Sequence, residues 1–258
     1  MSSRDRFEKE YWDGEWKSAS KEQIEKDLLV EDRSEDLYGG ILDRKVLRSK
    51  FRSRVPDLVL DAGCGSGMST KELADRGSTV VLLDLSLDAL RLARVLYKDL
   101  ELESRAHFVL ASLTNLPFKR AQFDLVYPQD NIKYFDDPSL ALREILGVTK
   151  EGGRILLCVP HLFSGATLKA AAVSSLRRLS GREAPKERCF TYGTVSRLVE
   201  ACGLQIEEVV PEKLGLDFAV SGVSVTWPLR TFLRRMAEKV PRLSLGYALL
   251  FVYARRQL

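Results

Sequence analysis

Histidine is almost missing from these 258 residues: only His107 and His161 occur. The four cysteines, Cys64, Cys158, Cys189 and Cys202, form no CxxC pair and stand near no histidine cluster. A zinc site therefore lacks a ligand set, and no metal is expected. No run of eighteen apolar residues is present, and the first residues are charged, without the apolar core of a signal segment. Repeats and low-complexity tracts are absent as well. These gaps exclude a disulfide scaffold, a zinc module and a membrane-spanning helix, and the expectation is a cytoplasmic protein with reduced thiols. Net charge is also small, +4, but it is unevenly spread. Residues 1–36 hold 7 basic and 12 acidic side chains, whereas residues 227–258 hold 7 basic side chains and the single acid Glu238. The basic end is the place to look for an anionic partner.

With 45% hydrophobic residues, the chain can bury one sizeable core. Short apolar runs, Asp57–Asp61, Thr79–Asp84, Ala106–Leu110, Phe123–Tyr127 and Arg154–Val159, read as buried strands. Between them, Met68–Arg76, Leu87–Leu100 and Ser139–Thr149 carry a helical period. Continuous apolar strands alternating with helices predict a doubly wound α/β fold with a parallel sheet covered on both faces. Right-handed crossovers bring the strand carboxyl ends to one edge, where ligands bind at the point of order reversal. A sixth strand is expected at Leu204–Val210 and a last one at Ala248–Ala254. Upstream, Glu35–Phe51 reads as a helix, and residues 1–30 as a polar arm carrying Tyr11, Trp12 and Trp16.

The sharpest local signal is Val59-Leu60-Asp61-Ala62-Gly63-Cys64-Gly65-Ser66-Gly67. A strand that runs into three alternate glycines allows a tight turn and close approach of a ligand to backbone. The dinucleotide pattern G-x-G-x-x-G, started at Gly63, would need glycine where Met68 stands. Asp61 beside the turn would repel a pyrophosphate and suits a cationic ammonium instead. At the end of the next strand, Asp84 is placed to accept from both hydroxyls of a ribose. Aspartate at that point also caps helices, but Ser86 is the better cap because Leu87 opens the helical pattern.

These segments, with "ASLTNLPF", "FDLVYPQDNIKYFDDP" and "EGGRILLCVP" after them, resemble the class I S-adenosylmethionine-dependent methyltransferase family in its small-molecule, type 11-like branch. The likeness runs in order from Val55 to Pro160 and resumes at "FTYGTVSRLVEACGLQIEEVV". It implies a seven-stranded, mostly parallel Rossmann-like sheet whose last strand is antiparallel, with helical insertions. The implied layout is one domain over 1–258: arm and helix 1–54, cofactor-binding core 55–160, substrate-side insertion 161–190, and a C-terminal part 191–258 with a helical insertion 211–247. The resemblance also implies S-adenosylmethionine as cofactor and S-adenosylhomocysteine as product. Asp61, Gly63, Gly65 and Gly67 would line the methionine end, Asp84 the ribose, and Leu85, Ser112 and Leu113 the adenine. Gln129 falls where the backbone meets the methionine ammonium, and Tyr11 belongs to an arm of the kind that closes over the cofactor. Two positions depart from the family pattern. Ser112 stands where an acid is common, and Tyr134 where many relatives have histidine.

Methyl transfer from a sulfonium is an in-line displacement, so the protein mainly aligns, desolvates and, for hydroxyl acceptors, supplies a base. His161, directly after the fifth strand, is the candidate base, and a capping or surface histidine is the plainer alternative. Asp130 and Asn131 are candidates to orient an acceptor; a turn with a helix cap is the competing reading, and the stronger one for Asn131. Tyr134 is either a hydrogen-bonding group or a packed aromatic. His107 and Cys64 are expected to be structural.

Residues 227–240 read as an amphipathic helix with Leu229, Phe232, Leu233, Met236 and Val240 on one face and Arg230, Arg234 and Lys239 off it. Such a helix packs on its own domain or touches an anionic membrane surface, which would suit a lipid-linked acceptor. The first insertion adds Arg177, Arg178, Arg182, Lys186 and Arg188 as candidate phosphate ligands. The expected acceptor is an oxygen or nitrogen of a small molecule, lipid- or sugar-linked intermediates included. The alternatives are an RNA or protein methyltransferase and a catalytically silent binding subunit. Against nucleic acid stands Tyr127-Pro128-Gln129-Asp130, which is no "NPPY"-like motif. Against a silent subunit stands the complete set Asp61, Gly63, Gly65, Gly67 and Asp84.

Overall fold

A computed structural model describes residues 3–18, 47, 49–162, 187–214 and 247–256. Seven strands form one sheet: β1 (Leu58–Ala62), β2 (Thr79–Asp84), β3 (Ala106–Leu110), β4 (Phe123–Tyr127), β5 (Thr149–Pro160), β6 (Leu204–Leu214) and β7 (Tyr247–Arg256). Their order is β3-β2-β1-β4-β5-β7-β6. The first five are mutually parallel, and β7 runs antiparallel to both β5 and β6. From β1 the chain goes outward through β2 to β3, then returns to β4 on β1's other side. The order therefore reverses between β1 and β4, and the carboxyl ends of these strands open a crevice there.

Side chains alternate between the two faces of the sheet, and both faces are covered. Leu60, Val81, Leu83, Val126 and Ile155 belong to one buried cluster, and Val59, Val80, Leu82, Leu125 and Leu156 to the other. The helices α2 (Lys71–Asp75) and α3 (Leu87–Asp99) cover the second face through Leu73, Ala74, Leu90, Ala93 and Tyr97. The helices α4 (Pro138–Val148) and α5 (Tyr192–Ala201) cover the first through Ala141, Leu142, Ile145, Val195 and Val199. Local chemistry starts α3 and its two successors in the chain, α4 and α5. Ser86 caps α3 by accepting from Ala89 N, and Asp137 caps α4 with proline at its first turn. Thr191 and Thr194 close a reciprocal capping box on α5.

Several boundaries differ from the sequence reading, and β6 runs on to Leu214 where a helical insertion was expected from 211. The expected helix at Met68 begins only at Lys71, because Gly67 has a positive φ of 72° and Thr70 turns its hydroxyl to Asp61. Strand β5 starts at Thr149 rather than Arg154; its pairing with β4 shifts register between Phe123 and Leu125, close to the Gly152-Gly153 pair. Residues 3–18 form a helix, α1 (Ser3–Ser18), where an irregular polar arm was expected. Lys9 and Asp13 pair across one of its turns at 2.5 Å, and it packs on α3. The helix expected in Glu35–Phe51 is seen only at Leu47, Ser49 and Lys50. The anticipated helix at 227–240, and Arg177, Arg178, Arg182 and Lys186 of the first insertion, lie outside the described residues. No helix among the described residues is long and apolar enough to cross a membrane.

Candidate cofactor and acceptor site

Strand β1 delivers its last residues into a turn in which Gly63, Gly65 and Gly67 have φ of +79°, +54° and +72°. Side chains rarely adopt these values, so the alternation of glycines is a backbone requirement. The turn is tied to the next strand: Gly63 N and Cys64 N both donate to Leu83 O, at 2.7 and 2.9 Å. Tyr97 of α3 donates its hydroxyl to Gly67 O at 3.0 Å. A side chain at Gly65 would meet the Trp16 indole at 2.6 Å, and one at Gly63 would collide with Asn131. Cys64 is buried, and burial pushes its thiol up, with the charges of Asp84 and Asp61 adding to the rise. It packs the turn and is no nucleophile.

Asp61 lies at the end of β1, wholly buried. Its Oδ2 accepts from Thr70 Oγ1 at 2.6 Å, while Oδ1 has no hydrogen-bond partner among the described residues. Burial raises its pKa to about 7; the Thr70 hydroxyl opposes the shift and the charge of Asp84 adds to it. Asp84 ends β2, accepting from Gly65 N at 2.8 Å and Ser86 N at 2.9 Å. Its carboxyl is also raised by desolvation, against these backbone donors. Two neighbouring acids, each costly to ionise, make a pocket that favours a cation with several N–H donors. The ammonium of S-adenosylmethionine is such a group, and its ribose hydroxyls match Asp84. The residues fit the cofactor.

The other implied contacts are placed as follows. Leu85 is half-buried just past Asp84. Ser112 is engaged locally, with Thr114 Oγ1 at 3.0 Å and accepting from Thr114 N at 3.3 Å. Leu113 is buried in the cluster on the first sheet face. Gln129 follows β4, bridges to Cys158 of β5, and accepts from Ser69 Oγ at 2.6 Å through Oε1, which ties it to the glycine turn. The Tyr11 ring meets Trp12 edge-on at 5.1 Å. Trp16, one turn further along α1, is the aromatic on Gly65. His107 is exposed at the start of β3.

Beyond β4 the chain forms an ionic cluster around a buried lysine. Asp130 takes a left-handed φ of +51°, and its Oδ2 accepts from Lys133 Nζ at 2.7 Å. Lys133 is only 8% exposed and has a second carboxylate, Glu187, at 3.5 Å. Desolvation lowers the ammonium's pKa, but these two carboxylates more than reverse it. Tyr134 lies beside the lysine, its ring 4.9 Å from Nζ, and Trp12 of α1 packs on it at 5.2 Å. His161 follows β5 directly, is 1% exposed, and its backbone bridges to Phe190. Asp130 and Tyr134 thus follow β4, which flanks the reversal point, and His161 follows its neighbour β5. Sequence reasoning missed Thr70, Trp16, Lys133 and Glu187. Trp12 and Trp16 are four apart, a helical spacing that would have signalled the shared face had the arm been read as a helix.

Among the described residues no group of three or more histidine, cysteine or acidic side chains could hold a metal, and all four cysteines are free thiols. The family described as "Methyltransferase domain" matches residues 60–157, the stretch that builds the glycine turn, both acids and the loop after β4. A malonyl-[acyl-carrier protein] O-methyltransferase of Pseudescherichia vulneris is 34% identical over 110 residues, 43% of this chain and 41% of that protein. A demethylmenaquinone methyltransferase of Corynebacterium kroppenstedtii is 36% identical over 124 residues, 47% of this chain and 51% of that protein. The chain thus spans about half, or less, of these relatives' lengths. Among solved structures, geranyl diphosphate C-methyltransferase from Streptomyces coelicolor, crystallised with S-adenosyl-L-homocysteine, superposes with a TM-score of 0.61. That match has 16% identity and covers 83% of this chain and 78% of the other, which shows the shared fold. Residues 60–157 thus match the methyltransferase-domain family, and the sheet order and the glycine turn agree with that match.

Proposed function

We propose that the protein transfers a methyl group to an oxygen or nitrogen of a small-molecule acceptor entering between the ends of β4 and β5. The observation that carries this reading is the pair of acids at adjoining strand ends, buried Asp61 with an unsatisfied Oδ1 and part-buried Asp84 held by the Gly65 amide. The sulfonium of the cofactor supplies an activated methyl group. The protein's own part is alignment and exclusion of water. Asp61 takes the ammonium, Asp84 the ribose, and Leu85, Ser112 and Leu113 flank the base. Gln129 closes the methionine side, and α1, with Tyr11, Trp12 and Trp16, covers the edge. Asp130 and Tyr134 orient the acceptor. For a hydroxyl acceptor, His161 accepts the proton as the new carbon–oxygen bond forms and the carbon–sulfur bond breaks.

The names of the relatives, for malonyl-[acyl-carrier protein] and demethylmenaquinone, place conjugated and lipid-like acceptors first in a screen. In this proposal the protein is cytoplasmic, and the basic segment 227–240 gives it a peripheral contact with anionic lipid. The test is calorimetric titration with S-adenosylhomocysteine, of the protein and of Asp84→Ala. Micromolar binding is expected, falling about tenfold or more in the variant, as for lost hydrogen bonds to a charged group. Absence of binding to the intact chain refutes the reading. Mass-spectrometric detection of a 14-dalton gain then identifies acceptors.

A further inference from the structure

Asn131 occupies the N-cap position of a single 3-10 turn, Ile132–Tyr134, yet its side chain makes no capping hydrogen bond. It reaches back across 69 residues of sequence instead: Nδ2 donates to Ala62 O at the end of β1. The amide stands where a Cβ on Gly63 would be, so Gly63 is glycine to admit Asn131. Its neighbours hold it there. Asp130 turns the chain with φ +51°, its carboxylate pinned by Lys133, and Gln129 is held by Ser69 and by its bridge to Cys158.

Because Nδ2 is committed to Ala62 O, the orientation of the amide is determined, and Oδ1 is the atom left over. That Oδ1 is buried and has no hydrogen-bond partner among the described residues. Asp61 Oδ1, two residues from Gly63 on the same turn, is in the same condition. Buried acceptors without donors are costly, and folded proteins rarely leave two at one turn. A ligand group carrying several N–H donors would satisfy both.

We propose that Asn131 is a cofactor-binding residue whose Oδ1 accepts from the α-ammonium of S-adenosylmethionine, opposite Asp61. This rests on the function proposed above. A neutral amide is the suitable partner: it adds an acceptor without setting a second carboxylate beside Asp61, whose own ionisation burial already opposes. Asn131 thereby reads the amino-acid end of the cofactor, whereas Asp84 reads the nucleoside end.

The test compares two ligands by calorimetry, S-adenosylhomocysteine and 5′-methylthioadenosine, which keeps the nucleoside thioether and lacks the amino-acid end. Asn131→Ala is expected to weaken S-adenosylhomocysteine about tenfold, or 1.4 kcal/mol, and to leave methylthioadenosine within twofold. Asn131→Leu has nearly the same shape and neither hydrogen-bonding atom; it should give the same split, and it carries the test if the alanine variant does not fold. Equal losses for both ligands, or no loss for either, would overturn the inference, since packing alone does not distinguish the two ends. An intact protein that binds neither ligand would refute the cofactor reading itself.

Discussion

At the scale of single residues, the site is governed by what burial does to charge. Asp61 has its pKa raised from 3.8 to about 7, so the folded chain holds that proton more tightly than the unfolded chain does. Between about pH 4 and pH 7 the folded state binds more protons, and stability of the cofactor-free protein falls as pH rises through that window. The melting temperature relative to Asp61→Asn should therefore drop from pH 5 to pH 7. An ammonium ligand favours the ionised carboxyl, so affinity for S-adenosylhomocysteine should climb from pH 6 to 7.5, with proton release seen as buffer-dependent binding enthalpy. A flat profile, indistinguishable from that of Asp61→Asn, would refute this. Lys133 presents the opposite case, a buried cation stabilised by Asp130 and Glu187. Replacing it with methionine leaves two carboxylates facing each other. Both are part-exposed, so the expected loss is about 2 kcal/mol in chemical denaturation rather than the larger cost of a fully buried pair. Asp130 was legible as a site residue, but Lys133 was not singled out. Glu187 was not, because nothing local ties residue 187 to residue 133.

At the scale of elements, α1 is the piece whose role depends most on its neighbours. Its sequence is strongly polar, and packing rather than propensity holds it in place. Asp13 accepts from Ser86 Oγ at 2.6 Å while Ser86 caps α3, so the N-terminus of α3 receives an extra negative charge. Trp12 rests on Tyr134, and Trp16 lies on Gly65. The helix therefore bridges the glycine turn and the loop after β4. Titration with S-adenosylhomocysteine should change tryptophan fluorescence, and Trp16→Phe should remove most of that response. An unaltered response in the variant would place the reporter elsewhere. Core strands and helix caps were readable because each obeys a local rule. The helical state of residues 3–18 was not, since its apolar spacing is weak and its partners are distant.

Over the whole molecule, the two buried clusters make the sheet a rigid plate from which the loops project. Leu82 shows the coupling: it is wholly buried at the centre of β2, and its methyl groups lie 3.1 Å from where a side chain on Gly67 would begin. Leu82→Ala should cost about 3 kcal/mol, a melting-point loss of roughly 6–12 °C for a chain this size. Cofactor affinity should fall with it, because the cavity opens beneath the glycine turn. Retained affinity at full occupancy would show that the turn is held independently of this core.

The order of strands and helices along the chain, the cap Ser86, and the glycine turn with its two acids follow from the sequence alone. Each depends on residues within a few positions of one another, where period, turn chemistry and capping act. Tertiary structure decided the rest. It inserted β7 antiparallel between β5 and β6, laid α1 across the crevice, and turned Asn131 from an apparent cap into a contact of Ala62. These contacts join segments up to more than a hundred residues apart, and only closure of the whole sheet brings them within hydrogen-bonding distance.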